Sequence, residues 1–105
     1  MSKEPFQIRD LADALRPPLA GKQSLVLCDD EHAKSVLFAF ATDEGLKEHV
    51  APFPATIQII QGNADLTVGD QAVSAKPGTW VRMDAKTPHS IRATTPLVML
   101  LTLLK

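Results

Sequence analysis

From Gln23 to its end the chain is cut into short apolar and β-branched runs by turn-forming residues at near-even intervals. The runs are Ser24 to Cys28, Ser35 to Thr42, Thr56 to Gln61, Asp65 to Val68, Gln71 to Ala75, Trp80 to Met83, Ser90 to Thr94 and Leu97 to Leu104. Between them stand Asp29-Asp30-Glu31, Asp43-Glu44-Gly45, Gly62-Asn63, Gly69-Asp70 and Pro77-Gly78. These residue types supply a positive φ or a pre-set turn. No helical stretch separates the runs, so nothing is there to carry a parallel crossover. Short strands punctuated in this way predict an all-β sandwich or barrel.

The last run constrains the packing. Leu97, Met99, Leu101 and Leu103 fall on one face of a strand, and Val98, Leu100 and Leu104 on the other. A strand apolar on both faces is covered on both. The barrel core is one cover, and the N-terminal helix or a second subunit is the other. The only helical pattern is Ile8, Leu11, Ala12 and Leu15, with Asp10 or Asp13 as a cap and Pro17-Pro18 as the stop. A turn this short holds only against something else. The strand alternation also predicts a core of Ile57, Ile59, Leu66, Val68, Val81, Met83, Leu101 and Leu103.

At 105 residues the chain is expected to form one domain, residues 1–105. Its net charge is −1, from 11 basic and 12 acidic residues scattered without a basic run. A nucleic-acid partner or an anionic membrane surface has nothing to grip. Cys28 is the only cysteine, which excludes an intrachain disulfide and a cysteine-rich zinc site. Within Ser24-Leu-Val-Leu-Cys28 it reads as an inert core thiol. The first residues, MSKEPFQIRDLADALR, lack the apolar stretch of a signal peptide. The longest apolar run falls short of the ~20 residues that span a bilayer. The expected location is the cytoplasm.

Two histidines carry motif-like spacing. His49 is followed by Gly62, and Gly78 by Pro88-His89. In these residues the stretch from Gly45 to Ala93 resembles the cupin family, and in particular its small single-domain, RmlC-like members. Cupins carry a first motif G-x5-H-x-H-x3-E-x6-G and a second, G-x5-P-x-G-x2-H-x3-N. His49 matches the first histidine and Gly62 the closing glycine, while Gly78 and His89 take their places in the second motif. Ala51 stands at the second histidine and Ala55 at the glutamate. Asp84, Lys86 and Ala93 replace the second motif's proline, glycine and asparagine. The resemblance implies a double-stranded β-helix, or jelly-roll barrel, with the short helical turn before it. A lysine in place of the second motif's glycine costs only modest strain if Lys86 keeps φ below zero.

The residues then suggest a pocket. Alternation places His49 inward with Lys47 and Ala51 on its face, and His89 inward with Ile91 and Ala93. Trp80, Met83 and Phe40 are candidates to line the same cavity, giving the mostly apolar lining with a few polar groups expected of a small-molecule site. A carboxylate ligand would suit the basic groups. The resemblance implies a transition metal held by three histidines and a carboxylate, of which only His49 and His89 remain. Zinc, manganese, nickel and iron are the candidate ions, at a site that is weak or absent. Metal-free sugar epimerases of this fold pair a histidine with a tyrosine, and this chain has no tyrosine. His32 falls in a loop, and Ser90 points away from His89. The expected function is small-molecule binding in a reduced two-histidine pocket. The alternative is a metal-dependent oxygenase or isomerase in which solvent or substrate completes a shell begun by His49 and His89. A homodimer is expected, because a small open barrel has sheet edges to cover.

Overall fold

Nine antiparallel strands and one helical turn follow in chain order in the computed structural model, which describes residues 5–105. They are α1 (Leu11–Ala14), β1 (Lys22–Asp29), β2 (Ala33–Phe40), β3 (Gly45–His49), β4 (Ala55–Gln61), β5 (Ala64–Val68), β6 (Gln71–Ala75), β7 (Trp80–Met83), β8 (His89–Ala93) and β9 (Leu97–Leu104). They make two facing sheets, a five-stranded one in the order β1-β2-β9-β4-β7 and a four-stranded one in the order β3-β8-β5-β6. This is the expected jelly roll.

The core lies between the sheets. From the larger sheet it takes Phe40, Ala55, Ile57, Ile59, Met83, Leu97 and Met99, and from the smaller Ala64, Leu66, Ala75, Ile91 and Ala93. Of the expected core, Ile57, Ile59, Leu66 and Met83 are buried. Val68, Val81, Leu101 and Leu103 pack against that core but keep part of their surface in water. The last strand is covered on both faces. Leu97 and Met99 point into the barrel, while Val98 joins Leu37 and Ala39 on the outside beneath Leu11, Ala14 and Leu15. The N-terminal segment is therefore the second cover over this part of the sheet. Asp10 takes the N-cap position, but its side chain makes no capping bond, and Ile8 is exposed rather than packed.

Two glycines are fixed by contact. A Cβ on Gly62, at φ +83, would run into the carbonyl of Pro96. One on Gly45 would run into the carbonyl of Ile91, because β3 lies hard against β8 there. Two non-glycine residues adopt the left-handed region, Asp43 at φ 73 and Lys86 at φ 67. Lys86 thus has a positive φ, and the condition for modest strain is not met. Its amide donates to the carbonyl of Ala51 at 2.8 Å, and this bond holds the turn in place. Cys28 is exposed, not an inert core thiol, because β1 is an edge strand. No helix among the described residues is long and apolar enough to cross a membrane.

Candidate functional site

Strand β8 sets one half of the site by plain alternation. His89, Ile91 and Ala93 are buried, while Ser90 and Arg92 face out. Strand β3 reaches the same place less directly. Leu46 pairs with Ile91 and His49 with His89, so three residue steps on β3 answer two on β8. This one-residue bulge turns both Leu46 and His49 inward and breaks the alternation between them. The histidines are cross-strand neighbours, with ring centroids 4.2 Å apart and planes inclined by 55°. His89 is 6% exposed, whereas His49 lies open to solvent.

Each ring is tied back to its own strand. The Nδ1 of His49 lies 2.8 Å from the carbonyl of Lys47, and the Nδ1 of His89 lies 2.9 Å from the carbonyl of Thr87. A carbonyl can only accept, so each Nδ1 carries the proton. In the neutral rings both Nε2 atoms then hold a lone pair. Neither Nε2 is hydrogen-bonded to a protein group among the described residues. Buried side-chain polar atoms left without a partner are likewise absent among them, so the Nε2 of His89 is reached by solvent.

The remaining candidates divide by position. Met83 points inward at this end of the barrel, where it pairs with Ala55. Phe40 is fully buried at the opposite end, paired with Leu97 and stacked on Phe38 at 5.9 Å. It belongs to the core and not to the site. Trp80 is 60% exposed on the outer face of β7. It stands three residues from Met83 on one strand, so alternation alone places the two on opposite faces. Lys47 lies beside the bulge and lines a groove of about 490 Å³ with Asp43, Glu44, Glu48, Ser90 and Arg92, away from His49. Neither histidine lines that groove. The neighbours that remain near the pair are apolar: Val68, directly across from His89, then Met83 and Leu103.

A cupin-domain family model matches residues 36–103. The chain belongs to the cupin family. No curated protein matches it. Among solved structures it resembles a conserved protein of unknown function from Streptococcus pyogenes, at 22% identity and a TM-score of 0.86, covering 98% of this cupin and 90% of that chain. A cupin superfamily protein from Desulfitobacterium hafniense is 26% identical with a TM-score of 0.86, covering 97% and 95% of the two chains. A variant of salicylate 1,2-dioxygenase from Pseudoaminobacter salicylatoxidans shares the fold, at 10% identity and a TM-score of 0.72 over 79% of this cupin and 26% of that chain.

Cupins often bind transition metals, so the donor set is the test of fit. Among the described residues no three of His, Cys, Asp or Glu converge on one point. Ala55, at the family's glutamate position, faces inward with no exposed surface and no donor. Two imidazoles supply half of a usual shell, too little to retain a divalent ion against water. The residues present do not fit a resident metal.

Proposed function

We propose that this cupin binds a small carboxylic acid with an apolar tail at the open end of its barrel, using the paired Nε2 atoms of His49 and His89. The observation that carries the reading is the tie of both Nδ1 atoms to backbone carbonyls, which leaves two neighbouring Nε2 atoms free to meet one ligand. Val68, Met83 and Leu103 offer the tail an apolar wall.

Among the described residues no charged side chain is hydrogen-bonded or ion-paired to either ring, and this determines how such a ligand is held. With Lys47 turned to the outer groove, the positive charge has to come from the imidazoles themselves. A carboxylate approaching two lone pairs is repelled, so it binds together with a proton shared between its oxygen and an Nε2. The resulting charge-assisted hydrogen bond is of the stronger kind. Binding is then linked to proton uptake and weakens as the pH rises.

The test is a calorimetric titration of the chelator-treated protein with a series of short straight-chain and aromatic carboxylic acids. Saturable binding is expected to tighten with apolar bulk and to fall at least about tenfold in His89→Ala, the loss of one charge-assisted hydrogen bond. The His49→Ala protein is expected to lose less, because that ring is already hydrated. Binding that appears only after zinc, nickel, manganese or iron is added would overturn the reading and favour the metal-dependent alternative.

A further inference from the structure

Short links join the two sheets at the end of the barrel away from the histidines. Residues 41–44 lead from β2 to β3, 62–63 from β4 to β5, 76–79 from β6 to β7, and 94–96 from β8 to β9. Each crosses from one sheet to the other. The larger sheet runs β2-β9-β4-β7 and the smaller β3-β8-β5-β6, so the linked strands stand in the same order and face one another. Strand β3, which carries His49, therefore faces β2, and β8, which carries His89, faces β9.

The registers give the inward residues that look across at the rings. At the histidine end Lys34 pairs with Leu103, Leu103 with Ala55, and Ala55 with Met83. The pairing of β2 with β9 is unbroken, so Lys34 continues the inward series Phe40, Phe38, Val36, while Leu37 and Ala39 pack on the outside. Leu103, Ala55 and Met83 are apolar. Only β2 brings a charge to this row.

That charge is uncommitted. Lys34 is partly buried, yet it makes no hydrogen bond or ion pair with the described residues. No buried side-chain nitrogen among them lacks a partner, so its ammonium reaches water. Asp29 stands across from it on β1, but that carboxylate accepts from the Lys105 ammonium at 2.6 Å. The Asp30 carboxylate accepts from the amides of His32 and Ala33 at 2.8 and 3.0 Å. A lysine with its stem on the barrel wall and its head in solvent thus stands across the mouth from the two imidazoles.

We propose that the acid held by His49 and His89 carries a second carboxylate, and that Lys34 receives it. This rests on the carboxylic-acid reading above and narrows the ligand to a dicarboxylic acid. Facing sheets lie about 10 Å apart, and an imidazole reaching from one and a lysine from the other take up most of that gap, so the bridging acid is short, about three to five carbons long. Its methylene groups run past Leu103, the cross-strand neighbour of Lys34. The lysine is already cationic, so the second carboxylate binds as the anion, in a charge-assisted hydrogen bond that needs no shared proton.

The test is a calorimetric titration of the chelator-treated protein with malonate, succinate and glutarate, each set against the monocarboxylate of the same carbon number. The best of the dicarboxylates is expected to bind at least about tenfold tighter than its monocarboxylate partner, the gain from one charge-assisted hydrogen bond. In Lys34→Gln that ratio is expected to fall to about one, whereas Lys34→Arg, which keeps the charge, retains it. His89→Ala is expected to weaken both kinds of acid. Equal binding of the two kinds by the parent, or a preference for the dicarboxylate that survives in Lys34→Gln, would overturn the inference and leave the histidine reading standing. A parent that binds neither kind would overturn both.

Discussion

The two ends of the barrel are built differently from the same strands. At the end where β4 turns into β5, inward positions are closed off: Phe40, Leu97 and Ala93 have no exposed surface, and Ile59 and Ala64 have next to none. At the histidine end the same strands finish in Leu103 and Val68, which are partly in water, beside the exposed His49. A non-glycine residue in the left-handed region stands at each end, Asp43 bonded to Ala93 at the closed one and Lys86 bonded to Ala51 at the open one. The closed end supplies stability. The open end gives up part of it, and two ring nitrogens without protein partners are accessible there.

That contrast is sharpest in the cost of removing apolar side chains. Ile59→Ala at the closed end is expected to lose about 2–5 kcal/mol of unfolding free energy, the range for large-to-small changes in a packed core. Leu103→Ala at the open end is expected to lose less than about 2 kcal/mol, since its side chain leaves less water-excluded surface. Urea unfolding of both variants measures the difference, and equal losses would mean that the two ends are packed alike.

A smaller effect of opposite sign is expected at Lys86. A lysine at φ 67 carries strain that a glycine does not, and its side chain is exposed, so little packing is lost on removing it. Lys86→Gly is expected to stabilise the protein by about 1 kcal/mol. Unfolding at a lower urea concentration than the parent would show that the Lys86 side chain contributes more than its backbone costs.

The closed and open ends were not equally legible in the sequence. Alternation on β4, β8 and β9 gives Ile59, Ile91 and Leu97 their facing directly, since on β4 the irregularity falls only after Ile59. It also placed His89. The bulge before His49 has no residue signature, and it moved Lys47 out of the site it was expected to share. Composition does not say which end of a barrel Phe40 occupies, and it lies at the closed one. The odd spacing of Trp80 from Met83 separates their faces in the sequence itself. Exposure of Cys28 followed from the sheet order, which places β1 at an edge and cannot be read from five apolar letters.

The smallest effect concerns acid, at the hairpin joining β1 to β2. A hydrogen bond from Lys105 holds the Asp29 carboxyl below its ordinary range, and the backbone amides of His32 and Ala33 do the same for Asp30. Folded-state values below the unfolded ones stabilise the fold above the ordinary aspartate range, and that contribution is lost as the pH falls through the depressed values. Both groups are solvated, so the effect is slight. Lys105→Ala is expected to move the acid-unfolding midpoint to slightly higher pH. An unchanged midpoint by circular dichroism would remove the hairpin from the account.

The measurement closest to the central claim is the heat of carboxylic-acid binding to chelator-treated protein in two buffers of different ionisation enthalpy at one neutral pH. If His49 and His89 hold the ligand through a shared proton, the observed enthalpy differs between the buffers by the uptake of a fraction of a proton up to about one, and the difference disappears in His89→Ala. Saturable binding with the same enthalpy in both buffers, or a buffer dependence that survives in His89→Ala, would contradict it.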